Sequence, residues 1–125
     1  MSMANPYQQY KRVQIETARP QELILMLYDE AIKQLKLVME SIDQKKMEAT
    51  NNSFKKVQDI LEELLASINP EAGEIAVQLQ SLYNFMIRHA AQANIEKSKR
   101  KAQDVLDLFI SLRTTWAQAM KEANA

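Results

Sequence analysis

The sequence has no cysteine, one glycine and three prolines among its 125 residues. Without cysteine, the chain can form no disulfide, zinc thiolate site or iron–sulfur cluster, and it has no cysteine nucleophile. One glycine and three prolines are too few to supply the turns of an all-β or α/β fold. These shortages together favour an all-α fold made of a few long helices.

An excess of charge and a long apolar run are also missing. The sixteen basic and sixteen acidic residues balance, so the whole molecule is not expected to attract nucleic acid or an anionic membrane. The longest apolar run covers only 23–28, whereas a membrane span needs about 20 residues. The first ten residues lack the apolar core of a signal peptide. We therefore expect a cytoplasmic protein with no membrane insertion and no nucleic-acid partner.

Apolar periodicity divides the chain into an N-terminal arm and four helices. Residues 1–18 are polar with scattered apolar side chains, which predicts a short helix or an arm. Apolar side chains then recur every three or four residues. This spacing predicts helices over about 20–43, over 46–67, from 70 or a little later to 94, and over 98–122. The connections are short, so we predict an antiparallel up-down four-helix bundle that forms one domain over 19–125.

Residues at the predicted helix ends support these boundaries. Pro20 suits the first position of the first helix, where its missing N–H costs nothing. Arg19 is a poor N-cap, so we expect Thr17 or water to satisfy the first amides. Asn69 followed by Pro70 predicts a capped start for the third helix. Gly73 is then expected to weaken the first turn of that helix.

The last three helices carry apolar side chains beyond their main stripes. These additional residues are Ile60, Leu65, Val77, Phe85, Leu106, Leu108 and Ile110. A helix with two apolar sides is either buried on its flanks or offers a second face to a partner. The seven methionines suit adaptable contacts and are a mild indication of a binding surface. Flank burial and a partner groove both remain open from the sequence.

Residues for enzymatic chemistry are scarce. His89 is the only histidine, so the chain lacks the paired Glu-x-x-His motifs of a di-iron bundle. A single glycine cannot form a glycine-rich phosphate loop. We expect no enzyme activity, cofactor or metal, and we interpret His89 as a side chain at the edge of the core. A histidine phosphotransfer module that uses His89 is the alternative, although alanines rather than the usual Lys and Gly follow it.

A basic run made of Lys97, Lys99, Arg100 and Lys101 lies where the third helix turns into the fourth. Cations are unfavourable at a helix N-terminus, so the fourth helix is expected to start at Ser98 or later. We interpret the run as a solvated loop. A local docking patch is the alternative.

Four segments together resemble the flagellin export chaperones, the FliS family. The first two are 5–10 (NPYQQY) and Pro20 with 23–29 (LILMLYD). The third consists of Gly73-Glu74-Ile75-Ala76, Leu79, Leu82-Tyr83, Phe85-Met86-Ile87-Arg88 and Ala93-Asn94, and the fourth is Leu112-Arg113 with Trp116. None of these segments is specific alone, but their order and spacing extend over nearly the whole chain. The chain departs from the family pattern at Arg19, Glu30, Ala72 and His89, where Ser, Gly, Gly and Arg are common.

The resemblance implies a nonenzymatic bundle that binds the disordered C-terminal segment of flagellin in the cytoplasm. A member of this family keeps flagellin from polymerising before export and helps to deliver it to the export gate of the flagellar type III apparatus. Binding is noncovalent and uses no nucleotide. A helical adaptor for another flagellar protein is the alternative function.

The additional apolar residues and the arm provide the candidate sites. We predict that Ile60, Val77, Leu106 and Ile110 contribute to the grooves that receive flagellin, because they lie off the main stripes. Tyr7 and Tyr10 match the family's arm motif, so the resemblance implies a role in recognising the export gate. The alternative is that both tyrosines only fasten the arm to the bundle. An empty apolar client surface would also allow a weak homodimer.

Overall fold

The structure is a computed structural model that describes residues 19–123. These residues form four long helices and one short 3-10 helix. The long helices are α1 (Pro20–Asp43), α2 (Met47–Ala66), α3 (Glu74–Glu96) and α4 (Lys99–Ala123), and the 3-10 helix is Pro70–Ala72. In the described part of the chain, no helix has the length and apolar character that a membrane crossing requires.

The four helices form a closed ring in chain order. α1 packs against α2 and α4, and α3 packs against the same two helices. Successive helices run in opposite directions because the connections cover only 44–46, 67–73 and 97–98. This arrangement confirms the predicted antiparallel four-helix bundle.

Apolar side chains from all four helices fill the centre of the ring. The largest of them are Tyr28, Leu35, Phe54, Leu61, Leu64, Tyr83, Met86 and Phe109, each at most 1% exposed. Burial of one such side chain stabilises the fold by about 1.5–3 kcal/mol before the cost of ordering it. Buried alanines on α1, α3 and α4 allow the helices to approach one another closely.

Two tyrosines form a polar contact across the diagonal of the ring. The hydroxyl oxygens of Tyr28 in α1 and Tyr83 in α3 lie 2.5 Å apart. Phe109 of α4 meets the Tyr28 ring edge to face, with ring centroids 6.1 Å apart. Burial raises the pKa of both phenols, so each keeps its proton at neutral pH and one hydroxyl donates to the other.

The two connections at one end of the bundle share the same helix-ending geometry. After α1, the N–H of Lys46 donates to the Ser41 carbonyl at 2.9 Å, and Lys45 has a φ of 58°. After α3, the N–H of Ser98 donates to the Ala93 carbonyl at 2.9 Å, and Lys97 has a φ of 52°. Both are Schellman motifs, in which one left-handed residue reverses the chain and satisfies the last carbonyls.

The start of α3 differs from the prediction. The Asn69 side chain accepts a hydrogen bond from the Glu71 N–H at 3.0 Å, as expected of a cap, but it caps the short 3-10 helix. Gly73 follows with φ 136° and ψ −175°, a conformation essentially restricted to glycine. This backbone cannot continue a helix. α3 therefore begins at Glu74, and Gly73 precedes its first turn instead of lying inside it.

Side chains accept hydrogen bonds from backbone N–H groups at the starts of α1 and α4. The Glu22 carboxylate accepts a hydrogen bond from the Arg19 N–H at 3.2 Å. Thr17, the partner expected from the sequence for the first amides of α1, lies outside the described residues. The Ser98 hydroxyl accepts from the Lys101 N–H at 3.1 Å and caps α4, which confirms the predicted start near Ser98.

Candidate functional site

An apolar groove opens at the end of the bundle where α1 begins and α2 ends. It encloses about 520 Å³. Its walls come from all four helices and from the connection that follows α2. The lining residues are Pro20, Gln21, Leu23, Ile24, Leu27, Glu63, Ser67, Ile68, Leu79, Tyr83 and Trp116. Most of these side chains are apolar and only partly buried, so the groove can accept an apolar face of another polypeptide.

Trp116 is held in place as one wall of the groove. Its indole Nε1 donates to the backbone carbonyl of Gln21 at 2.8 Å, which ties the end of α4 to the start of α1. On the other side of the indole lies a smaller cleft of about 180 Å³, lined by Gln21, Ala119, Met120 and Ala123. The indole therefore separates two neighbouring apolar recesses on one end of the bundle.

Tyr83 connects the groove to the core. It lines the groove, yet it is only 1% exposed, and its hydroxyl meets Tyr28 at 2.5 Å. Tyr83 thus forms a buried part of the groove wall, and its hydrogen bond to Tyr28 of α1 fixes its position. Such a rigid support lets the more exposed side chains above it adapt to a ligand without disturbing the fold.

The predicted flagellin-binding residues divide into two pairs. Val77 and Ile110 are 46% and 42% exposed, as expected of residues available to a partner. Ile60 and Leu106 are only 8% and 5% exposed and belong to the core. Because every helix of the ring packs against two neighbours, part of the flank beside each main stripe is covered, and Ile60 and Leu106 lie in that covered part. None of the four residues lines the groove.

Sequence reasoning missed the residues that do line the groove. Ile24, Leu27, Ile68, Leu79 and Trp116 follow the three- and four-residue apolar spacing that predicts burial, and the structure leaves each of them partly exposed. The available signal was their position in the helices. They lie toward the ends of their helices, or just beyond, where a neighbouring helix no longer covers a stripe completely.

Both tyrosines of the predicted export-gate site, Tyr7 and Tyr10, lie outside the described residues. The described chain starts at Arg19, and Pro20 lines the groove. The described part of the chain therefore begins at the edge of the groove.

His89 lies at the edge of the core, between α3 and α4. Its Nε2 is 3.0 Å from Asp104 Oδ2, and its ring stacks on Phe85 with centroids 5.2 Å apart. The His89 side chain is 21% exposed, whereas Asp104 is 50% exposed. The contact joins two adjacent helices, which agrees with the interpretation of His89 as a structural residue.

The basic run makes specific contacts at the end of the bundle opposite the groove. Lys97 Nζ donates to the side-chain oxygen of Asn94 at 2.7 Å, and Lys99 Nζ meets Asp43 at 2.8 Å. Lys101 donates to Glu96 at 2.8 Å and thereby holds the pKa of that carboxyl below its ordinary value. The run is therefore better described as a set of local ties than as a wholly solvated loop.

Within 19–123, no three histidine, cysteine, aspartate or glutamate side chains come together in a way that could hold a metal ion. The candidate binding site among the described residues is the apolar groove of about 520 Å³. An open apolar groove on a helical bundle has the shape and chemistry to accept a helix or peptide of a partner.

Comparison with known proteins identifies the family of the chain. The sequence model of the family described as "Flagellar protein FliS" matches residues 3–123. The chain is 32% identical over 121 residues to the flagellar secretion chaperone FliS of Bacillus subtilis, with 97% of this chain and 90% of the relative covered. It is 30% identical over 130 residues to the Salmonella typhimurium flagellar secretion chaperone FliS, with 99% and 96% covered.

The chain belongs to the FliS family, which consists of flagellar secretion chaperones and not of enzymes. A solved crystal structure of a bacterial flagellar chaperone has the same fold. Its TM-score is 0.77 at 18% sequence identity, and the match covers 93% of this chain and 95% of the other.

Proposed function

We propose that this protein is a cytoplasmic export chaperone that binds the disordered C-terminal segment of flagellin and helps to deliver it to the flagellar export gate. The observation that carries the proposal is the partly exposed apolar groove of about 520 Å³ at one end of the bundle. Family membership supports a flagellar protein as the client.

The groove suits a client that folds as it binds. An amphipathic segment can place its apolar face in the groove as a helix, and that face is then hidden from other flagellin molecules. Ordering a disordered segment costs conformational entropy, which lowers the affinity below what the contact area alone would provide. The client is therefore held against polymerisation but can still be released at the gate.

The predicted binding residues take different parts in this proposal. Val77 and Ile110 are exposed and can contact a client segment that extends beyond the groove. Ile60 and Leu106 lie in the core, so in this proposal they stabilise the packing of α2 and α4 and do not touch the client. Tyr7 and Tyr10 are proposed to take part in gate recognition, and the position of Pro20 at the groove supports a link between the arm and client binding.

Calorimetric titration with flagellin from the same cell tests the proposal. Intact flagellin should bind near one to one, and flagellin without its C-terminal segment should not bind. Leu79→Asn places a polar side chain in the groove wall and should weaken binding at least tenfold, which is about 1.4 kcal/mol. The matched control is Leu37→Asn, because Leu37 is 42% exposed on α1 and does not line the groove.

The outcomes separate this function from its alternatives. If intact flagellin does not bind, the proposal is wrong and a helical adaptor for another flagellar protein becomes the better interpretation. A phosphotransfer assay on His89 tests the remaining alternative. Sedimentation with and without the client segment tests the predicted weak homodimer, which should dissociate when the segment covers the groove.

A further inference from the structure

Charged side chains are separated along the bundle axis, although the whole chain is neutral. Each helix can be divided near its midpoint into a half beside the groove and a distal half. Among the described residues, the groove half (19–31, 57–84 and 112–123) carries nine carboxylates and three basic side chains. The distal half (32–56 and 85–111) carries six carboxylates and eleven basic side chains. The balanced composition therefore hides a strongly acidic half and a basic half.

Pairing within the groove half cannot remove its acidic surplus. Its three basic side chains can neutralise at most three of the nine carboxylates. Arg113 is already engaged with Asp29, on the contact between α4 and α1. The helix ends do not change the sign either, because two N-termini and two C-termini meet at this end and their dipoles oppose one another. The side chains therefore determine the potential around the groove.

Part of this acidic surplus lies at the groove itself. Glu63 is one of the lining residues, and Glu62 precedes it on the same turn of α2. Glu71 and Glu74 follow within the connection to α3 and its first turn, and all four carboxylates are exposed. Because Glu63 lines the groove, its field reaches a helix bound there within the Debye length of about 8–10 Å at moderate salt.

We propose that the groove selects an amphipathic helical segment whose apolar face is flanked by lysine or arginine. An equally apolar segment flanked by carboxylates is rejected. The inference rests on the proposed function, since it specifies the charge of the client segment that the groove accepts. Apolar contacts supply most of the affinity, whereas complementary charge supplies the discrimination and steers the encounter.

Two versions of the flagellin C-terminal segment test this inference on the full chain. They are identical at every apolar position and carry either lysine or glutamate at the flanking polar positions. Binding is followed by the fluorescence of Trp116, which lines the groove and is the only tryptophan of the sequence. The lysine version should bind about tenfold more tightly at low salt. The ratio of the affinities of the two versions should approach one near 1 M salt, where the Debye length is about 3 Å.

A matched pair of variants locates the effect at the groove. Glu63→Gln should lower the ratio of the two affinities about threefold, because it removes one carboxylate from the groove wall. Glu48→Gln is the control, because it makes the same change on the same helix in the distal half. It should leave the ratio unchanged. Both residues are exposed, so neither variant is expected to unfold the bundle.

The unmodified flagellin segment separates failure of the inference from failure of the function. If that segment does not bind, the proposed function is wrong. If it binds and the lysine and glutamate versions bind equally, the charge selection is wrong while the function stands. Charge selection is equally refuted if neither modified version binds, if the preference is reversed or insensitive to salt, or if Glu63→Gln and Glu48→Gln change the ratio alike.

Discussion

At the scale of single residues, the contact between Tyr28 and Tyr83 makes each hydroxyl depend on the other. Both side chains are 1% exposed, and their oxygens lie 2.5 Å apart. A buried hydroxyl that loses its partner costs about 1–3 kcal/mol. We expect Tyr28→Phe and Tyr83→Phe each to lower the free energy of unfolding by about that amount. The double variant should lose less than the sum, as measured by urea unfolding.

The same pair predicts how stability changes at alkaline pH. Burial raises the pKa of both phenols above the ordinary value, so the unfolded chain releases these protons at a lower pH than the folded chain. Stability is therefore retained below about pH 10 and falls as the pH rises further. The double phenylalanine variant should show a shallower alkaline loss. Additive single losses together with an unchanged alkaline slope would contradict this account of the pair.

At the scale of elements, Gly73 determines where α3 begins. Its φ of 136° and ψ of −175° belong to a region that costs other residues about 1–3 kcal/mol. An added Cβ would meet nothing within 4 Å, so the expected cost is conformational and not steric. Gly73→Ala should lower the free energy of unfolding by about 1–3 kcal/mol. Thermal and urea unfolding of the purified variant measure the loss.

Lys45 provides the opposite control for the same backbone argument. It holds a φ of 58° at the end of α1, is exposed, and would be relieved of left-handed strain by glycine. Lys45→Gly should leave stability unchanged or raise it by less than about 1 kcal/mol. If Gly73→Ala is as harmless as Lys45→Gly, the backbone at Gly73 is not the constraint that separates the 3-10 helix from α3.

The helices themselves could be predicted from the sequence because helical periodicity is a local property. α1 runs over Pro20–Asp43 as its apolar stripe and Pro20 indicated. The start of α3 was less predictable. Asn69 and Pro70 resemble the start of a long helix, and only the conformation of Gly73 reveals that the first turn is separate. Local signals therefore establish which segments are helical, but the outcome at a boundary depends on one backbone conformation.

At the scale of the whole molecule, the groove depends on how the helices are placed, which a single stripe does not encode. Leu79 and Trp116 have the same spacing from their neighbours as core residues, yet they lie where the bundle is incompletely covered. The separation of charge likewise could not be predicted from the net charge of the sequence, which is zero. Only the antiparallel arrangement of the helices brings most of the carboxylates to one end of the bundle. The candidate site thus emerges from packing, whereas the fold follows from periodicity.

Packing also predicts different consequences for the four residues first proposed to bind flagellin. Ile60 and Leu106 are buried, so replacement by alanine should cost about 2–5 kcal/mol of stability through lost contacts and a cavity. Val77 and Ile110 are exposed, so the same replacement should change stability by no more than about 0.5 kcal/mol. Urea unfolding measures the stability of all four variants, and calorimetric titration with the flagellin segment measures how tightly each variant binds the client.

If the client extends beyond the groove, the loss of client binding and the loss of stability should occur in different variants. The Val77→Ala and Ile110→Ala variants should bind the flagellin segment several-fold more weakly while melting like the parent protein. At a temperature where Ile60→Ala and Leu106→Ala remain folded, they should bind more nearly as the parent does, because the client does not touch either side chain. Normal binding by both exposed variants would confine the client to the groove. Weak binding by the folded core variants would show instead that α2 and α4 must keep their shapes for the client surface to exist.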